Sequence, residues 1–185
     1  DQLPFATDKT RHVGEGVAAI AAIDAEIAEE ALDLIKVDYD PLPAVLDPEK
    51  AIKPGAPRVH EEVENNISAS FSKAYGDVEK GFRESDYIRE DTFCTVPVNH
   101  APLEPHGCVA LWNSDGSITI WMDTQTPFLS QRSFSRLLGI TEDRVRIIKT
   151  ETGGGFGGKG EVLAHHFSAA FMSRLTRRPV KIILS

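Results

Sequence analysis

The sequence predicts an α+β fold of mixed α/β character, in which strands and helices alternate along the chain. Three observations carry that expectation. Residues 13–39 read as strand, helix, strand. Asn113-Ser114-Asp115-Gly116 joins two short β-rich runs and is a strong hairpin signal. Arg144–Lys149 alternates like a strand, Glu161–Leu175 has helical spacing, and Glu151–Gly160 between them carries six glycines in the eight positions 153–160.

Taken in order, Val13–Ile23 is rich in Val, Ala and Ile and predicts a buried strand, with Gly14 and Gly16 marking a tight entry or bulge. Asp24 is a candidate N-cap for a helix to Leu34, because Ile27, Ala28, Ala31, Leu32 and Ile35 recur at its spacing. Lys36–Tyr39 alternates as a strand that Pro41 and Pro43 end. Residues 46–66 lack periodicity and contain Pro48, Pro54, Gly55 and Pro57, as a linker does. Asp77–Glu84 reads as a short helix and Tyr87–Val96 as a strand; Val98–Gly107 is irregular. Cys108–Trp112 and Ser117–Trp121 form the hairpin, Pro127 opens a helix and Gly139 closes it. Val180–Leu184 is a strand that needs a neighbour. Both ends look cut, since Asp1-Gln2-Leu3 opens the chain without Met.

The bulk properties exclude several classes. The 185 residues suffice for one core or two small domains. A net charge of -8 and a pI near 5.2 argue against a nucleic-acid surface, which needs clustered Lys and Arg. No apolar run of about 18 residues is present, so no membrane span is expected, and no secretory signal is visible. Cys94 and Cys108 read as thiols of a cytoplasmic protein rather than a disulfide.

The glycine loop is the main candidate site, because crowded glycines let backbone amides approach an anion or cofactor. Gly153, Gly155 and Gly158 satisfy G-x-G-x-x-G between a strand and a helix, which keeps a nicotinamide- or flavin-binding Rossmann turn open; its acidic ribose ligand would fall just past the last residue. Gly153–Lys159 also fits the start of a P-loop, but Gly160 stands where Ser or Thr should hold magnesium. The spacing of His100, His106, His165 and His166 is not that of a zinc site. Glu104, between Pro102 and Pro105, is a carboxylate in a stiffened loop. Gln125 lies where a strand hands over to a helix, where its amide can donate to an oxygen ligand or simply serve a turn.

Together, Gly153-Gly154-Gly155-Phe156-Gly157-Gly158-Lys159 and Thr124-Gln125 resemble the molybdopterin site of the molybdenum hydroxylases, the xanthine dehydrogenase and aldehyde oxidase family. Asp8-Lys9 to Val17-Ala18-Ala19 and Tyr39-Asp40-Pro41-Leu42-Pro43 resemble the end of that family's hammerhead domain, and His100-Ala101-Pro102-Leu103-Glu104-Pro105 resembles a loop near the start of its cofactor domain. The resemblance implies the C-terminal part of a hammerhead domain over 1–45, a linker over 46–66, and the N-terminal part of a molybdopterin-binding domain over 67–185. It implies a molybdenum–molybdopterin cofactor in its cytosine dinucleotide form, with 2Fe-2S and FAD on partner subunits or domains. It also implies oxidation of an aldehyde, an N-heterocycle or carbon monoxide with water as the oxygen source. Gln125, Gly154, Gly155, Phe156, Gly157 and Gly158 would bind the cofactor, with Gln125 bonded to a molybdenum oxo ligand. The family's catalytic glutamate lies downstream of any residue here, so no catalytic residue and no direct metal ligand is expected, and this part alone should not turn over. In purine-oxidising members a glutamate follows the loop lysine; here Gly160 does, and Glu161 comes one residue later. A Rossmann-type oxidoreductase and a non-catalytic assembly module are the competing readings.

Overall fold

A computed structural model describes residues 4–184. The opening Asp1-Gln2-Leu3 and Ser185 lie outside the described residues, and so does the look of a cut at each end. The chain divides into two compact units, residues 38–97 and a larger one formed by 1–37 with 98–185.

The larger unit is built on a four-stranded sheet. Its first helix, α1 (Ala25–Asp33), begins as expected: the Asp24 carboxylate accepts the Ile27 amide at 2.9 Å. The smaller unit contains α2 (Pro48–Ala51), a 3-10 turn (Glu64–Asn66) and α3 (Val78–Glu84), the first and last capped by Asp47 and Asp77. There the Asn66 carboxamide accepts from Val59 and donates to Ala51 and Pro57, so one side chain closes the turn.

Back in the larger unit, β1 (Gly107–Trp112) and β2 (Ile118–Met122) form the expected antiparallel hairpin, with Gly116 at φ 82° in its turn. Then α4 (Pro127–Leu138) crosses to β3 (Val145–Lys149), which runs parallel to β2. Pro sits in the first turn of α4 and Gly139, at φ 67°, ends it. After the glycine loop come α5 (Ala164–Thr176) and β4 (Val180–Ile183), which pairs antiparallel with β1 and so finds the neighbour it needed. The sheet order is β3-β2-β1-β4. Period-two alternation sends Cys108, Ala110, Ile118, Ile120, Met122 and Val145 to one face, where they pack on Phe134 and Leu138 of α4 and Phe167, Ala169 and Ala170 of α5. The rings of Phe134 and Phe167 meet edge to face at 5.0 Å between centroids.

Three expected strands are absent from the described residues. Val13–Ile23, Lys36–Tyr39 and Tyr87–Val96 are irregular, and Val13 and Phe93 are exposed. Alternation makes a segment fit for a sheet, but a strand exists only where a ladder partner takes its N–H and C=O groups. The Rossmann alternative also fails on topology. Its glycine loop would lead through a helix to the strand beside β3, whereas here α5 leads past β2 and β1 to the opposite edge.

Candidate functional site

The pieces of the site meet at one end of the sheet's strands. Residues 123–125 leave the carboxyl end of β2, the glycine loop leaves the carboxyl end of the parallel β3, and loop 100–106 enters β1 at the same end, since Cys108 pairs with Met122. The Thr150 amide donates to Met122 O at 3.1 Å and holds the two exits together. Open α/β sheets leave their ligand crevice at the carboxyl ends of parallel strands.

Gln125 is placed by Lys159. Its backbone amide donates to Lys159 O at 2.9 Å, and its side-chain Oε1 accepts from the amides of Gly157 (3.2 Å) and Lys159 (3.3 Å). With Oε1 occupied twice, the remaining polar end of the carboxamide is its NH2 group, which donates. Beside it, among the described residues, no protein acceptor takes the amides of Gly154, Gly155 or Phe156. The loop is narrow by construction. A Cβ on Gly155 would stand 2.6 Å from Gln125 Oε1, one on Gly153 would stand 2.7 Å from Glu104 Cβ, and one on Gly158 would meet the His100 ring at 3.1 Å. Phe156 adopts φ 52°, a left-handed conformation that costs a non-glycine residue roughly 1–2 kcal/mol. The residue is 73% exposed.

These features pass a fit test for a molybdopterin-type ligand. The cradle would be filled by a single added methyl group, and it presents N–H and NH2 donors, which suit oxo, phosphate or carbonyl oxygens and not a bare cation. The candidates Gln125, Gly155, Gly157 and Gly158 are brought together in one hydrogen-bonded knot with Lys159. Gly154 packs against Pro102 and the Phe156 ring.

Sequence reasoning missed the part played by Lys159. Its side chain is fully buried, and Nζ lies 2.6 Å from Asp123 Oδ2 and 2.7 Å from Glu104 Oε2. Burial alone would lower its pKa, but the paired carboxylates of Asp123 and Glu104 outweigh that and raise it, so the ammonium persists. Glu104, bonded to Lys159 and to the Gly153 amide (2.6 Å), is held below the usual carboxylate range. A lysine committed to two carboxylates is not free for a phosphate, which removes the P-loop reading. The signal was a lone lysine inside a glycine run, flanked in space by the Pro-stiffened Glu104.

Glu161 is not in α5, which begins at Ala164; it is exposed and borders a cavity of about 570 Å³ with His100, Pro102, Gly157, Gly158 and Leu163. Deeper in, His166 Nδ1 accepts the Leu163 amide at 3.0 Å, which puts the ring proton on Nε2. Its ring centroid lies 3.9 Å from that of His165, and burial pushes the two pKa values down to about 3 and about 4.

The chain is similar to known proteins along nearly its whole length. Residues 59–185 match the molybdopterin cofactor-binding domain, and residues 1–43 match the aldehyde oxidase and xanthine dehydrogenase a/b hammerhead domain. The chain is 40% identical to a probable xanthine dehydrogenase subunit of Bacillus subtilis over 98% of its length, spanning 24% of that protein. It is 32% identical to the nicotinate dehydrogenase large molybdopterin subunit of Eubacterium barkeri over 100% of its length, spanning 43% of that one. Among solved structures, quinoline 2-oxidoreductase from Pseudomonas putida 86 superposes with a TM-score of 0.88 at 30% identity, covering all of this chain and 23% of that one. The chain therefore belongs to the molybdopterin cofactor-binding domain family, with the match to the a/b hammerhead domain preceding it.

Proposed function

We propose that this chain is part of the molybdopterin-binding catalytic subunit of a molybdenum hydroxylase that oxidises a small molecule with water as the oxygen source. The observation that carries the reading is the Gln125 carboxamide. Its oxygen accepts from two loop amides, which leaves its NH2 to donate, and among the described residues no protein acceptor takes the amides of Gly154, Gly155 and Phe156 in the same loop. When bound, the molybdenum cofactor supplies the redox chemistry. The residues here would orient it: the Gln125 NH2 and the loop amides would donate to its oxygens. Preorganised donors of this kind stabilise charge as it develops and need no reorganisation during reaction.

An N-heterocycle is the favoured substrate class, in keeping with the nicotinate, nicotine and quinoline named in the relatives. The cofactor takes the cytosine dinucleotide form, the one the family resemblance implies for bacterial members. The family resemblance puts 2Fe-2S and FAD on partner subunits or domains, in keeping with the two cysteines here, too few for a cluster of four thiolate ligands. A cytoplasmic location suits the two unpaired thiols, and no helix among the described residues is long and apolar enough to cross a membrane.

The test uses the full-length subunit with its partners. Molybdenum near one per subunit supports the family chemistry; its absence together with bound nicotinamide or flavin at this loop would overturn it. In metal-replete protein, Gln125→Ala should lower kcat about 10²-fold, the effect of losing one oxyanion-type donor. Unchanged kinetics would refute the role given to Gln125.

A further inference from the structure

The geometry points to Lys159 as the positioning residue that aims the Gln125 carboxamide, an inference that rests on the reading of Gln125 just given. Four ties converge on Lys159. Its Nζ pairs with Asp123, which precedes Gln125 by two residues at the exit of β2, and with Glu104, which accepts the Gly153 amide at the other end of the loop. Its backbone oxygen accepts from the Gln125 amide, and its own amide donates to Gln125 Oε1. The backbone and side chain of Gln125 are therefore both registered on a residue whose place is set by two ion pairs. The buried charge of Lys159 serves the joint between β2, the glycine loop and loop 100–106.

The physical case for lysine is specific. Nζ has three donors and no acceptor, and two carboxylates engage it, the buried Asp123 and the part-exposed Glu104. Glutamine or methionine there would leave the Asp123 carboxylate, 4% exposed, without a counter-charge. Asp123 would keep only the Gly107 amide on Oδ1, and a shift of its carboxylate would carry Gln125, two residues on, with it. Displacement of a positioned donor by about 1 Å is enough to cost on the order of 10²-fold in rate.

The experiment compares Lys159→Met, Lys159→Met/Asp123→Asn, Gln125→Ala and Lys159→Met/Gln125→Ala in the full-length, metal-loaded enzyme. The double change with Asp123→Asn removes both buried charges together and carries the test if Lys159→Met alone strands the carboxylate too severely to fold. The readouts are molybdenum per subunit, kcat, KM, and hydrogen exchange of residues 151–160 against the β1 and β2 peptides. Lys159→Met should lower kcat roughly 30- to 100-fold with KM within about two-fold, and Gln125→Ala should add less than about two-fold on top of it, the non-additivity of residues acting as a unit. Exchange in the glycine loop should quicken at least about ten-fold while β1 and β2 stay protected. Wild-type kcat and loop exchange in a folded Lys159 variant, beside a slow Gln125→Ala, overturn the inference alone. So do multiplicative effects of the two substitutions. Loss of β1 and β2 protection in both Lys159 variants would make Lys159 a stability residue and overturn positioning. A wild-type kcat in Gln125→Ala overturns the reading of Gln125 and the inference with it.

Discussion

At the scale of single residues, the site depends on what is missing. Gly155 lies so close to Gln125 that a methyl group would meet Oε1 at 2.6 Å and Cδ at 2.7 Å. Real side chains do not tolerate such contacts, so Gly155→Ala must push the carboxamide out of its double acceptor position. The loop is not part of the core, so the fold should survive. We expect kcat to fall to within a few-fold of the level of Gln125→Ala, with thermal stability changed by less than about 1 kcal/mol. Steady-state kinetics and a melting curve on the same preparation check this; a wild-type kcat would mean that the loop relaxes around the added methyl. The glycine pattern and Gln125 were legible in the sequence because each is a local signal. Lys159 was not. Its partners Asp123 and Glu104 are 36 (159 − 123) and 55 residues away, and only the fold reveals that an apparent phosphate-binding lysine is buried between them.

At the scale of elements, local punctuation decided what could be read. The helix α4 is bounded by Pro127 and Gly139, and the β1–β2 hairpin by Asn113–Gly116, so these stand where expected. The three strands predicted at Val13–Ile23, Lys36–Tyr39 and Tyr87–Val96 have only composition and alternation behind them, and strand formation depends on a partner that no local pattern guarantees. The spacing starts α5 three residues early, because the apolar Val162 and Leu163 continue the helical pattern while His166 folds back on the Leu163 amide and fixes the boundary there. The other end of α5 offers a test. Arg177 occupies the left-handed cap at φ 55°, the role that Gly139 fills for α4 at φ 67°. Relief of about 1–2 kcal/mol of left-handed strain, less the roughly 0.5–1 kcal/mol of extra glycine entropy, leaves Arg177→Gly more stable by roughly 0.5–1 kcal/mol. Differential scanning calorimetry should show a rise of a few degrees, and a lower midpoint would show that the Arg177 side chain contributes more than its backbone costs.

At the scale of the whole molecule, one sheet face is closed by α4 and α5, and the buried end of α5 makes stability depend on pH. His165 and His166 are held neutral to about pH 4 and about pH 3, chiefly by burial; His106 lowers both further, His165 also lowers His166, and Asp123 works against the shift at His165. Their ordinary value is 6.5. Above it both are neutral whether the chain is folded or not, and their contribution is fully present. As the pH falls from 6.5 toward 4, the unfolded chain takes up protons that the folded chain refuses, so stability falls. The slope approaches about 1.4 kcal/mol per pH unit for each histidine, and the two steps belong to the pair because the rings are in contact. The carboxylate of Glu104, lowered from 4.5, adds acid sensitivity only below that value, so the two sources separate along the pH axis. Urea midpoints followed by the fluorescence of Trp112 and Trp121 should therefore decline between about pH 6.5 and about pH 5 in the native sequence. His165→Phe/His166→Gln should flatten that interval and leave the decline below 4.5, because glutamine can still accept the Leu163 amide but cannot be protonated. An equal slope in both proteins across the interval would show that the buried end of α5 admits the proton, and that the histidines are not the neutral wall the packing makes them.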